Sequence, residues 1–311
     1  MKPYPIKLIP VPKSPIWGGT HLKTEWGVRA DAPTVGEAWM LTVRRNEKNV
    51  VANGAWAGKT VNEVIDAYGA TAEDFPLLVK LIDAGDRLSV QVHPDDTYAA
   101  QVEQDRGKTE MWYILEAEEG AELICGLRAG MTREDFAEAV RAGKTERALE
   151  HVPVRAGETY FIPAGLPHAI GKGILLAEIQ QNCDLTYRIW DYDRRGTDGK
   201  PRELHVAKAL DVVRPFTAEE IEAIRYEADP TADRNTVLAA CSRFRVERLS
   251  VDGSCMIPEA ATFRHLLCIS GEGTLTSVAE TYPVVRADSY LLPPGESVLL
   301  AGNMTVLISR P

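Results

Sequence analysis

One turn signature occurs twice in the chain, and it limits the fold more than any other feature. Gly157-x5-Pro163-x-Gly165-x2-His168 recurs with the same spacing as Ala287-x5-Pro293-x-Gly295-x2-Val298. In each copy the run before the proline is rich in β-prone residues, Thr159–Ile162 and Ser289–Leu292. Proline and glycine then shape a tight turn that aims the last position, His168 or Val298, inward from the next strand. A signature kept at fixed spacing implies a duplicated unit. Two domains also suit a chain of 311 residues.

The first copy resembles the second signature of the cupins, G-x5-P-x-G-x2-H, and short β-rich runs elsewhere agree. Leu77–Ile82, Met111–Leu115, Ile174–Ile179 and Phe244–Leu249 are punctuated by Gly, Pro and Asp at intervals expected of a sandwich or barrel. The predicted fold is mainly β: tandem cupin (jelly-roll β-barrel) domains with a few helices. The helices are expected over Thr60–Tyr68, Thr132–Glu150, Arg202–Val213 and Thr217–Arg225. The polar, acidic segment Tyr226–Asn235 marks the boundary. Residues 1–235 would form a metal-binding catalytic domain with helical insertions. Residues 236–311 would form a smaller cupin-like domain lacking the metal ligands, since valine replaces histidine in its copy.

A net charge of −10 argues against nucleic-acid binding, which demands clustered Lys and Arg. A small phosphorylated ligand needs only a few cations focused in a cleft. Cys125, Cys183, Cys241, Cys255 and Cys268 are scattered, with no C-x-x-C pair, so a disulfide framework or thiolate zinc site is not expected. The N-terminus lacks the apolar core of a signal peptide, and no apolar run approaches the ~20 residues of a membrane span. A cytoplasmic protein without membrane partners is expected; the sequence leaves its oligomeric state open.

Gly85-x5-Gln91-x-His93 resembles the first cupin signature, with Gln91 replacing its first histidine. Residues i and i+2 of a strand share a face, so Gln91 and His93 can reach one ion. Glu110, entering the run Trp112–Leu115, would add a carboxylate, and His168 would close the set. One amide oxygen, two imidazoles and one carboxylate suit a single zinc ion with room for water or substrate oxygens. His21, His151 and His205 sit in no such motif and are expected to be structural.

Four segments resemble the type I mannose-6-phosphate isomerases in their short bacterial form: Leu88–Asp96, Gly107–Tyr113, Pro163–Gly171 and Glu178–Arg194. The resemblance implies that Gln91, His93, Glu110 and His168 hold zinc. It also implies catalytic roles for Lys108, Glu178, Asp184 and Arg188, the last three spaced as E-x5-D-x3-R. Ser89 and Arg194 would bind the substrate phosphate. The implied reaction interconverts mannose 6-phosphate and fructose 6-phosphate by proton transfer through an enediol. It needs a base, a polariser for the oxygens and an anchor for the phosphate. Lys108 and Glu178 both remain candidates for the base. One position departs from the pattern: Arg44-Arg45 stands where many members carry His-Pro. The competing readings are another metal-dependent cupin enzyme, such as an oxygenase, and a non-catalytic sugar-binding cupin protein. Gln91 and the Lys108-x-Glu110 pair favour the isomerase over the first, and the retained Lys108, Glu178 and Arg188 favour it over the second.

Overall fold

Two strands that are buried along their whole length, Leu77–Ala84 and Ile174–Gln181, lie at the centre of the first domain. Both faces of such strands must be covered, which is why they read as near-continuous apolar runs. They pair antiparallel with each other and belong to a seven-stranded sheet. Its order is Arg225–Glu227, Glu158–Ile162, Glu110–Ala117, Ile174–Gln181, Leu77–Ala84, Glu37–Leu41 and Val11–Lys13. A five-stranded sheet faces it, in the order Leu149–Pro153, Glu122–Leu127, His168–Ile170, Val90–Val92 and Tyr187–Trp190. The computed structural model describes residues 3–44, 46–196, 198–227, 235–278 and 280–311. Arg45, and residues 228–234 of the expected boundary segment, lie outside the described residues.

The period-two geometry of these strands separates two environments. Ile82, Trp112, Ile114, Ile162 and Leu176 point between the sheets and meet Leu123 and Ile170. Their neighbours Leu81, Met111, Tyr113, Ala177 and Ile179 point outward. There they join Val64 and Ile65 of the helix Val61–Ala67, and Leu267, Leu291 and Leu307 of the second domain. Burying each such side chain stabilises the fold by about 1.5–3 kcal/mol. On the far side of the five-stranded sheet, Val90, Val92, Tyr187 and Ile189 pack under Phe136 and Ala209 from two helices.

The third sheet has eight strands and contains the C-terminal part of the chain. The N-terminal strand Ile6–Ile9 completes it by pairing with Ser289–Leu292, and Val50–Val51 adds an edge. Both copies of the repeated signature form a strand–turn–strand unit. Gly157 opens the first with φ +92°, and Ala287 opens the second with φ +70°. The left-handed conformation costs a non-glycine residue about 1–2 kcal/mol, so the unit is kept even where its glycine is not. The interior of the second barrel is filled by Leu266, Tyr290, Leu292, Val298, Leu300 and Val306.

The helices are shorter than the periodicity predicts. Thr60 caps Val61–Ala67 through a reciprocal capping box with Glu63. The expected helix Thr132–Glu150 ends at Arg141; a 3-10 turn, Thr145–Ala148, follows, and Leu149 already begins a strand paired with Glu122–Leu127. Arg202–Val213 is helical only over Val206–Val212, because the His205 N–H donates to the Arg188 carbonyl (2.7 Å) and holds the preceding residues against a strand. Thr217–Arg225 is helical over Ala218–Ile224, after which Arg225 joins the sheet edge beside Tyr160. Strand pairing overrides local propensity at each of these ends. The Phe244–Leu249 run extends to a strand over Arg245–Ile257. Among the described residues no helix is long and apolar enough to cross a membrane.

Candidate metal centre and active site

Two strand neighbours and a returning loop bring the predicted ligands together. Gln91 and His168 are register partners on adjacent strands of the five-stranded sheet. The turn before His168 is tied to the ligand strand by the Gly165 N–H, which donates to the His93 carbonyl (2.9 Å). After His93 the chain leaves through the helix Asp96–Val102, capped by Asp95, and returns at Gly107. A Cβ at Gly107 would lie 2.4 Å from the Asp96 nitrogen, so only glycine permits this approach. The Lys108 N–H then donates to the Pro94 carbonyl (3.0 Å), which sets Lys108 and Glu110 beside His93. The Thr109 N–H donates to Gln181 Oε1 (2.9 Å), fixing the register of the same segment.

The ligand atoms of His93, Glu110 and His168 lie within 4.8 Å of one another, and all three residues are buried. His168 Nδ1–H donates to the Leu166 carbonyl (2.8 Å), so its Nε2 presents a lone pair, 3.4 Å from Glu110 Oε1. Lys108 Nζ donates to His93 Nε2 (3.1 Å), which is therefore also an acceptor, 3.6 Å from Glu110 Oε2. Glu110 Oε1 and His168 Nε2 have no hydrogen-bond donor and no water contact at their surfaces. Acceptor lone pairs facing one another in a dry interior repel unless a cation lies among them. Lys108 supplies one positive charge, 3.1 Å from Glu110 Oε2. The donor set fits a divalent metal ion.

Burial and the charges nearby set the protonation states. Burial lowers His168 to about 4. Burial, with Lys108 and His168 adding to it, pushes His93 well below the usual histidine value. Both imidazoles are thus neutral and ligand-competent at pH 7. Burial and the nearby Glu178 raise the Glu110 carboxyl, against the opposing pull of Lys108 and Lys80. Burial would also raise Glu178, but Lys80, Lys108 and the Trp112 N–H outweigh it and hold that carboxyl below its usual value.

Above the cluster lies a cleft of about 140 Å³. Lys80, Ser89, Gln91, Lys108, Glu178, Asp184 and Arg188 all contribute to its lining. Glu178 is fixed on both oxygens: Trp112 Nε1–H donates to Oε2 (2.9 Å), and Lys80 Nζ lies 3.1 Å from Oε1. Arg188 Nε–H donates to Ser89 Oγ (3.2 Å), and Nη1 donates to the Glu203 carbonyl (2.8 Å). A buried carboxylate, two lysines and a guanidinium thus line one small polar space, which Gln91 and Lys108 connect to the His–Glu–His cluster.

Comparison with known proteins places this arrangement. The phosphomannose isomerase type I catalytic-domain family matches residues 6–129, and the mannose-6-phosphate isomerase cupin-domain family matches residues 234–311. The mannose-6-phosphate isomerase ManA of Bacillus subtilis is 38% identical over 297 residues, covering 94% of this chain and 93% of that protein. This chain belongs to the type I phosphomannose isomerases. A mannose-6-phosphate isomerase of Streptococcus mutans is 36% identical over 283 residues, covering 89% of each. The crystal structure of a Bacillus subtilis mannose 6-phosphate isomerase superposes with a TM-score of 0.89 at 33% identity, covering 99% of both chains.

Within this type I phosphomannose isomerase, Asp184 stands exposed at the cleft rim and Ser89 is buried beneath Arg188. Arg194 does not line the cleft. Its Nη1 donates to Asp86 Oδ2 (3.1 Å) and the Arg87 carbonyl (2.5 Å), and its Nη2 donates to Asp191 Oδ1 (2.6 Å). Lys80 is a site residue that sequence reasoning missed. It is a register partner of Glu178, and although burial would lower its pKa, Glu178, Glu37 and Asp184 hold it above the usual lysine value. Its signal was a single lysine inside the apolar strand Leu77–Ala84. Trp112 has no role assigned from the sequence beyond its strand and the Gly107–Tyr113 segment, yet its indole orients Glu178.

Proposed function

We propose that this chain interconverts mannose 6-phosphate and fructose 6-phosphate, with one zinc ion held by Gln91, His93, Glu110 and His168. The observation that carries the reading is Glu178, an ionised carboxylate clamped between Lys80 and the Trp112 indole beside the His–Glu–His cluster. When bound, the ion would act as a Lewis acid on the substrate oxygens at C1 and C2. Glu178 carries no proton at neutral pH, so it is ready to take one from the substrate carbon and return it to the adjacent carbon. Against the effect of burial, Glu110 and Glu178 hold Lys108 above the usual lysine value. Its ammonium would be placed to donate to a developing oxyanion. Arg188 and Ser89 would engage the phosphate, with Asp184 at the rim. Residues 236–311 would serve as a metal-free second barrel, because Val298 stands in a filled interior.

Isomerisation in D2O, followed by NMR, tests the reaction. Fructose 6-phosphate should form from mannose 6-phosphate, with deuterium at C1. Incorporation should be below one per turnover at first, because Glu178 is buried, and should rise on prolonged equilibration. Product without any deuterium after many turnovers would rule out proton transfer, and no product would rule out the substrate.

A further inference from the structure

We infer that Arg202 is the second cation of the phosphate-binding end of the cleft, positioned by Asp191, and that Arg194 acts only through Asp191. This deepens the hexose-phosphate reading and rests on it. The backbone explains how Arg202 reaches the site. After the strand Tyr187–Trp190 the chain turns through Tyr192 and Asp193, both with φ +55°. Arg195 and Pro201 then pair antiparallel, and the Gly196 N–H donates to the Lys200 carbonyl (2.8 Å). This small hairpin carries the chain out and back, so Arg202 returns to the place where Asp191 left the sheet.

There Arg202 grips Asp191 with two donors, Nε–H to Oδ2 (2.7 Å) and Nη2–H to Oδ1 (2.5 Å). That bidentate fork fixes the plane of the guanidinium in advance, so less side-chain freedom is lost on binding. Arg202 lines the cleft together with Ser89 and Arg188, and Nη1 lies outside the fork. Arg194 differs on both counts: it is absent from the lining, and its Nε, Nη1 and Nη2 are all engaged by Asp191, Asp86 and Arg87.

Charge supports the assignment. A phosphate monoester carries about −1.5 to −2 at neutral pH, more than one guanidinium neutralises. The buried lysines of the cleft are engaged elsewhere, Lys80 by Glu178 and Glu37 and Lys108 by Glu110. At the other end Arg194 is paired with Asp86 as well as Asp191, and the exposed Glu203 lies near Arg188, so the positive charge offered to the cleft is that of Arg188 and Arg202, with the Asp191 carboxylate shared between Arg194 and Arg202. In a chain of net charge −10, such local focusing is what admits a dianion.

The test compares wild type with Arg202→Ala, Arg202→Lys and Arg194→Ala. It measures KM and kcat for mannose 6-phosphate, turnover of free mannose, and inorganic phosphate binding by calorimetry. Arg202→Ala should raise KM and weaken phosphate binding about ten- to a hundredfold, with free mannose little changed. Arg202→Lys should recover part of the loss, and Arg194→Ala should have the smaller effect. KM and phosphate binding within about twofold of wild type in Arg202→Ala would overturn the inference. So would a fall in kcat with both unchanged, since that is what a purely structural role gives, or a larger effect from Arg194→Ala. Wild type that binds phosphate through Arg202 but does not isomerise mannose 6-phosphate would instead overturn the proposed reaction.

Discussion

Replacing His168 with alanine is expected to strip the metal ion from the first barrel and abolish turnover while the chain stays folded. His168 offers Nε2 to the cluster and has no other partner for that atom, whereas its Nδ1–H bond to the Leu166 carbonyl serves only to orient the ring. Changing a group that merely orients a ligand already costs about 10–100-fold in metal affinity, so losing a ligand should cost at least a hundredfold. Of the two residues left, His93 keeps its hydrogen bond from Lys108 and Glu110 keeps its ion pair with it, so the site does not gain an unpaired charge. His93→Ala should behave in the same way. Elemental analysis after dialysis, turnover and a thermal melt read the three outcomes. A full equivalent of metal retained by His168→Ala would move the metal centre elsewhere.

Glu178→Gln should keep the metal and lower kcat by about 10²–10⁴-fold, the usual effect of removing a general base. The amide oxygen can still accept from Trp112 Nε1–H, and Lys80, which the amide nitrogen would then face, still has Glu37 at 3.6 Å as its partner. What is lost is the group that can hold the proton between the two carbons. Lys108→Ala should also keep the metal and lower turnover, because its ammonium touches the cluster as a donor and not as a ligand. Near-normal kcat in Glu178→Gln, with metal content unchanged, would mean that another group moves the proton.

These effects concern residues that differ in how far the sequence exposed them. His93 and His168 were legible because the i, i+2 rule and the tight turn fix where a side chain points without knowledge of the whole sheet, whereas Glu110 was indicated by its place before the run Trp112–Leu115 and by the resemblance. The repeat was legible for the same reason, and its second copy keeps the left-handed opening with alanine. Lys80 was not, because a lysine in an apolar strand acquires meaning only when the register places Glu178 opposite it. Arg194 and Arg202 show the limit most clearly. The family resemblance favoured Arg194, but a hairpin closes between Arg195 and Pro201 and delivers Arg202 to the cleft. Helix ends failed where pairing with a sheet, as at Leu149 and Arg225, outweighed periodicity. The N-terminal strand completes the sheet of the C-terminal barrel, a long-range pairing that no local pattern announces.

The central claim is that one metal ion in the first barrel and the isomerisation belong to the same site. Titrating zinc back into chelated protein while following fructose 6-phosphate formation tests it most directly. Activity should rise from near zero and reach its plateau at about one equivalent per chain, since His93, Glu110 and His168 form one cluster and the second barrel presents Val298. Full activity in the metal-free protein, or a plateau only at two equivalents, would contradict the account.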